Sequence, residues 1–244
     1  ATLNDVPIRV SEASYRIERD YFQFVANLDE AQIQVNGQAG LGGQLDLALK
    51  IRQIDMGKLT QILRVPDLSG DGTLTGKISS ELSLVGFLEI PEASLFDVPI
   101  GVLTADFHYG DGQVFLHPVH LSKGESNLTI DGIARIDGDI PVDFTVHVQP
   151  FQIADYVRLL AGADYPIEGV VTGNLALDGT LRALGGRGKL QIVEAEAWDL
   201  ALDPLILPLE VEDYVLNVSD FEILARGQRG IIDFQITTDQ DYEL

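Results

Sequence analysis

The side chains able to do chemistry are few, and their spacing does not gather them. The histidines are His108, His117, His120 and His147. His117 and His120 flank Pro118 and stand three residues apart. On a strand that spacing sends them to opposite faces, so surface or rim positions fit them better than one shared metal site. Asp131, Asp137 and Asp139 lie near Gly132 and Gly138 and have the carboxylate density of a calcium turn. Ordinary Asp-Gly hairpin turns account for them as well. Asp55 and Asp155 fall where two helical stretches begin, a place that favours negative charge. With Cys 0 there is no disulfide and no thiolate metal site. The chain contains no nucleophile elbow, P-loop, zinc-binding helix motif or dinucleotide fingerprint. The residues therefore predict no enzyme, no catalytic set, no metal and no cofactor.

With the polar chemistry set aside, the apolar pattern becomes the candidate working surface. The 244 residues carry Lys+Arg 16 against Asp+Glu 38, a formal net charge of -22. Phosphate binding rests on clustered cations, so this balance argues against nucleic acid. It argues equally against docking through a basic face on an anionic membrane. Any lipid contact has to be apolar and enclosed. Hydrophobic residues are 45% but aromatics only 7%, so the apolar content is mostly aliphatic. The most apolar stretch, Leu200 to Val211, is interrupted by Asp203, Pro204, Pro208 and Glu210 and does not read as a membrane span. The pattern starts and stops in mid-unit, as expected of a fragment of something longer.

That pattern repeats at about 95 residues. Asp5-Val6-Pro7-Ile8 returns as Asp97-Val98-Pro99-Ile100, and Ile33-Gln34-Val35-Asn36-Gly37 as Leu128-Thr129-Ile130-Asp131-Gly132. Leu45, Leu47, Leu49 and Ile51 match Val142, Phe144, Val146 and Val148. Met56, Leu59, Ile62 and Leu63 match Ile153, Tyr156, Leu159 and Leu160, a helical spacing that predicts short amphipathic helices at 55–64 and 152–161. The repeats run 1–95, 96–197 and 198–244, the last truncated, within a single elongated fragment spanning 1–244. Near Pro118 and Asp220 both copies shift phase by one residue, which predicts a shared β-bulge. Leu74, Gly76, Ile78, Ser80, Leu82 and Leu84 alternate with Thr73, Thr75, Lys77, Ser79, Glu81 and Ser83, predicting one long half-buried strand. Asp111-Gly112, Asp137-Gly138 and Gly42-Gly43 mark tight turns, and the short connections favour an antiparallel meander.

The succession resembles the repeating unit of the TamB and AsmA-like proteins of bacterial envelopes. The resembling residues run from Ala93 to Ile100, from Thr104 to Gly112 and from Ser126 to Ala134. Asp55-Met56-Gly57-Lys58-Leu59, followed by Leu68 to Leu74, is similar to the same type. The resemblance implies a mainly β fold, a long antiparallel sheet of repeated units curled into a U-shaped groove or β-taco. It also implies a periplasmic location in a protein anchored to the inner membrane of a Gram-negative-type envelope, that anchor lying outside this stretch. The implied partners are phospholipid and an outer-membrane barrel, with no nucleic acid. The implied function is non-enzymatic: shielding acyl chains between the two membranes, or supporting outer-membrane assembly. About a dozen strands at about 4.8 Å spacing would give a trough on the order of 60 Å long.

The groove-lining, lipid-binding positions are then Leu74, Ile78, Leu82, Leu84, Leu103, Phe107, Leu128, Ile130, Phe144, Val146, Leu175 and Leu177. All occupy the apolar phase of their strands. The same phase fits a closed dry core, and the sequence does not choose between the two. An outer-membrane-type barrel also alternates, although the low aromatic content speaks against it. A β-rich structural or polysaccharide-binding scaffold is the further alternative.

Overall fold

The computed structural model describes the chain except residues 1, 4–5, 8–9, 19–20, 29–30, 40–44, 64–67, 80, 82, 137–138, 157–165, 182, 213–214, 226–227 and 238–244. It is mainly β, and it divides into two compact units, Ala1–Leu121 and Ser122–Leu244. The first holds β1 (Thr2–Leu3), β2 (Val6–Pro7), β3 (Val10–Glu18), β4 (Tyr21–Leu28), β5 (Ala31–Ala39) and β6 (Leu45–Asp55). It continues with α1 (Met56–Leu63), β7 (Leu68–Ser69), β8 (Asp71–Ser79), β9 (Leu84–Leu95) and β10 (Val98–Gly110). The unit boundary falls within β11 (Gln113–Lys123). The second unit holds β12 (Ser126–Arg135), β13 (Pro141–Gln152), a 3-10 turn at Ile153–Asp155, β14 (Ile167–Thr180) and β15 (Ala183–Ala197). β16 (Leu200–Ala201), β17 (Leu205–Glu212), β18 (Val215–Ala225) and β19 (Gln228–Thr237) complete it.

In both units the main strands pair antiparallel with their sequence neighbours. The order is β3-β4-β5-β6-β8-β9-β10 in the first unit and β12-β13-β14-β15-β17-β18-β19 in the second, as antiparallel sheet that is open rather than closed. Short connections make this order the cheap one, because an antiparallel meander closes only small loops. Asp111 and Gly112 form the expected tight turn, with φ of 51° and 72°. Gly42-Gly43 and Asp137-Gly138 lie outside the described residues.

The long strand expected from Leu74 to Leu84 is instead a hairpin. β8 ends at Ser79 and β9 starts at Leu84, with the Ser79 amide donating to the Ser83 carbonyl at 3.0 Å. The Ser79 and Ser83 hydroxyls also pair at 2.7 Å. Alternation did not reveal the reversal because Ile78 and Leu84 end up directly opposite each other. Opposed residues share a face, so the apolar phase passes through the turn unbroken.

The first expected helix forms, and most of the second falls outside the described residues. α1 forms at Met56–Leu63, with Asp55 as its N-cap: an Asp55 carboxylate oxygen accepts from the Lys58 amide at 3.1 Å. In the second unit the chain stays extended to Gln152 and makes only the 3-10 turn Ile153–Asp155 before residues 157–165, which lie outside the described set. Register breaks precede both segments, between Arg52 and Ile54 and between Val148 and Phe151. A bulge at each site turns the strand out of the ladder. The shift expected near Asp220 is present between Val218 and Phe221.

Glycines on the apolar face set how closely the strands pack. Gly132, Gly173 and Gly186 have φ of 151°, 153° and 154°, backbone that L side chains rarely adopt. A Cβ built on Gly132 would collide with the Asp143 carbonyl oxygen and lie 2.8 Å from Cδ1 of Phe144. Gly132→Ala is therefore expected to destabilise the fold by about 2–4 kcal/mol in urea unfolding. Gly230→Ala, where a Cβ meets nothing within 4 Å, should stay within about 0.5 kcal/mol. Equal effects at the two positions would contradict the close-approach account.

Candidate functional site

Register places the aliphatic side chains in rungs that run across the strands. In the first unit one rung is Ile33, Ile51, Leu74, Leu88 and Ala105. The next is Val35, Leu49, Gly76, Gly86 and Phe107, and the third Gly37, Leu47, Ile78, Leu84 and Tyr109. Ile90 faces Leu103. The second unit repeats the device. Leu128, Val148, Gly173, Leu190 and Leu207 form one rung, and Ile130, Val146, Leu175, Gly188 and Leu209 another. Gly132, Phe144, Leu177, Gly186 and Val211 form the third.

Large side chains lean over the glycines beside them. Atoms of the Phe107 ring lie 2.5–3.2 Å from where a Cβ on Gly86 would sit. Leu190 lies likewise over Gly173, Leu175 over Gly188 and Leu177 over Gly186, each at 2.8–2.9 Å. The missing Cβ is the space the neighbouring side chain uses.

Leu74, Ile78, Leu84, Leu103 and Phe107 therefore share one face in the first unit. Leu128, Ile130, Phe144, Val146, Leu175 and Leu177 share one in the second, while Leu82 lies outside the described residues. The same faces carry residues missing from the expected set: Leu47, Leu49, Ile51, Leu88 and Ile90, then Val148, Val171, Leu190, Ile192, Leu205, Leu207 and Leu209. The matched runs Leu45 to Ile51 and Val142 to Val148 held a signal for some of these. In β15 the glycines at 186 and 188 occupy the apolar phase, so the alternation ahead of Leu190 and Ile192 is hard to read.

Burial along these faces is incomplete. Leu74, Ile78, Leu84, Leu103 and Phe107 are all half-buried. In the first unit much of the deep burial instead gathers near α1 and the adjacent strand ends, at Ile90, Ala93, Ile100, Met56 and Thr60, with Ala26 of β4 buried as well. In the second, Val146, Val148 and Val171 are buried with half-buried Leu128, Ile130, Leu175, Leu177, Leu190 and Ile192 packed on them. Leu205, Leu207, Leu209, Val218 and Ala195 form the neighbouring cluster. Along β14 the opposite face is mostly polar: Thr172, Asn174, Ala176 and Asp178 are exposed, and His147 Nδ1 pairs with Asn174 Oδ1 at 2.6 Å.

One end of the second sheet is fixed by a polar latch. The buried Ser126 hydroxyl donates to Asp155 Oδ2 at 2.9 Å and accepts from the Gln152 amide at 2.9 Å. Lys123 Nζ donates to the Asp155 carbonyl at 2.7 Å and sits 5.1 Å from the Tyr156 ring centroid. Tyr156, itself buried, stacks on Phe151 at 4.2 Å. Burial, and secondarily the Asp155 carboxylate, push its hydroxyl from 10.0 up to about 12. Sequence matching paired Tyr156 with an apolar helix position and gave no sign of the Ser126–Asp155 contact, which joins residues 29 apart.

The other polar candidates stay dispersed. His117 and His120 are exposed; Phe115 stacks between His108 and His117, at 5.8 and 6.2 Å. Asp131 faces Thr145 on the polar side, Asp139 lies in a turn, and Asp137 is outside the described residues. Among the described residues no group of three or more His, Asp or Glu is placed to hold a metal ion, and no helix is long and apolar enough to cross a membrane. No protein-family model, curated protein or solved structure matches the chain.

The latch makes two checkable statements. Ser126→Ala strands the Gln152 amide and removes a donor from the carboxylate, and should lower stability by about 1–3 kcal/mol. Tyr156 holds its proton more tightly folded than unfolded. Its contribution is therefore complete below pH 10 and falls as pH rises toward about 12. Tyr156→Phe should flatten stability over that window in alkaline unfolding curves; an unchanged slope would refute the assignment.

Proposed function

We propose that the chain is a segment of a lipid-shielding β-groove of the TamB and AsmA-like kind, with one short helical segment per repeat. In this reading each apolar face lines a U-shaped trough for phospholipid acyl chains. The segment works in the periplasm, in a protein anchored to the inner membrane, passing lipid toward the outer membrane or supporting assembly there with a barrel partner. The observation that carries it is the set of apolar rungs whose large members, such as Leu74, Ile78, Leu84 and Phe107, are only half-buried.

The physics needs nothing more specific. Moving acyl chain through water costs about 0.8 kcal/mol per CH₂. A continuous aliphatic surface removes that cost at every position along its length, so a lipid slides without a deep well to escape. The polar outer faces and the charge of -22 keep the exterior wet and discourage self-association.

The test is lipid-extract mass spectrometry on protein purified without detergent. Copurified phospholipid is the expected result. Ile78→Arg and Phe144→Arg place a cation in the acyl path of each unit and should cut bound lipid by about tenfold or more while circular dichroism keeps its β signal. Lipid-free native protein would reject the groove. Unfolding of both variants would point to a closed dry core.

A further inference from the structure

The apolar faces end at two turns that break the usual rule for their type. Between β9 and β10 the turn residues are Phe96 and Asp97, with φ of 50° and 60°. Between β15 and β16 they are Trp198 and Asp199, with φ of 49° and 60°. Two-residue turns with positive φ at both positions favour Asn-Gly, because an ordinary side chain is strained there. The chain instead spends both positions on an aromatic followed by a carboxylate, at corresponding places in two repeats. Strain kept at a matching site in two copies calls for a use.

Both rings stand in solvent, Trp198 63% exposed and Phe96 37%, and both carboxylates are exposed beside them. Each turn adjoins the return from its unit's helical segment. Leu68 pairs with Leu95, and the Trp198 amide donates to the Pro166 carbonyl at 3.0 Å. Packed apolar core starts immediately behind them, continuous along the strands with the half-buried rungs. Ile90 and Ala93 are buried behind the first turn, and Ala195 belongs to the cluster with Leu205 and Leu207 behind the second. Along the chain, the stretches that contain the turns carry one sign of charge. From 90 to 104 and from 190 to 205 the sequence has no Lys or Arg, while Glu92, Asp97, Glu194, Glu196, Asp199 and Asp203 fall there.

We infer that these two aromatic–aspartate turns receive the ammonium group of a net-neutral phospholipid whose acyl chains lie on the apolar face. An exposed ring face attracts an ammonium through its quadrupole, and the adjacent carboxylate adds charge complementarity. The turn carboxylates themselves disfavour a purely anionic headgroup. Ethanolamine and choline headgroups share the recognised chemistry. This inference rests on the groove reading above and adds to it a preference among lipids.

The experiment loads detergent-free protein from vesicles of phosphatidylethanolamine, phosphatidylcholine or phosphatidylglycerol and counts bound lipid by mass spectrometry. Retention of one or both ammonium lipids over phosphatidylglycerol is expected, and which of the two is retained identifies the source. Phe96→Asn and Trp198→Asn relieve the turn strain, so both variants should fold at least as well as the native chain. Each should nevertheless lower the ammonium-over-glycerol preference by about two- to fivefold. Asp97→Asn and Asp199→Asn should move it the same way. Native protein that binds all three lipids equally would overturn the inference while leaving the groove standing. A loss in the variants that is equal for all headgroups would also overturn it, making the turns bilayer-docking aromatics. No lipid from any vesicle would reject the groove itself and this inference with it.

Discussion

Everything in this protein depends on the apolar phase of the ladder staying aligned from strand to strand. A one-residue slip anywhere would send a strand's aliphatic side chains to the wet face. The alignment is held by local steric keys. A bulky side chain on one strand fills the space that a glycine leaves on the next, as Phe107 does over Gly86 and Leu190 over Gly173. A slipped register would bring a Cβ into that space, so the pairing that packs is the pairing that keeps the phase.

The keys also explain why the surface is even. Glycine next to a large residue averages the height of a rung, and in the second unit the glycines are spread over three strands: Gly132 in β12, Gly173 in β14, and Gly186 and Gly188 in β15. The result is a more even apolar face. A surface of that kind suits a ligand that is long, aliphatic and mobile better than one that is compact and polar. Specific polar contacts are pushed to the strand ends, where the Ser126–Asp155 latch and the Phe96 and Trp198 turns sit.

The ends and the middle of each sheet thus do different physical work. In the first unit, α1 and the strand ends beside it exclude water around Ile90 and Ala93. In the second, Tyr156 and Phe151 do so beside the 3-10 turn. In the second unit the rungs carry buried clusters of their own, around Val146 and Leu209. The middle stays regular, stabilised mainly by backbone hydrogen bonds and cross-strand pairs, each worth only about 0.2–1 kcal/mol.

The sequence by itself determined the β character, the repeated unit, the turn at Asp111-Gly112, the helix after Asp55 and the phase of residues such as Leu74, Phe107 and Leu175. These are legible because side-chain alternation and turn chemistry act over a few residues. Only the tertiary structure decided that Ile78 and Leu84 belong to different strands. Periodicity is blind to a reversal that preserves phase. It also took the structure to bring Leu190, Ile192 and Leu207 onto the same face as Leu128. Glycines hid the period in β15, and rung membership depends on register between strands distant in sequence. Of the stretch 152–161 with helical spacing, the described part holds the 3-10 turn Ile153–Asp155, fixed by the stacking of Tyr156 on Phe151 and the hold of Ser126 on Asp155. Such contacts join residues whose proximity no local pattern encodes, which is why the latch and the strained aromatic turns emerged only from the folded chain.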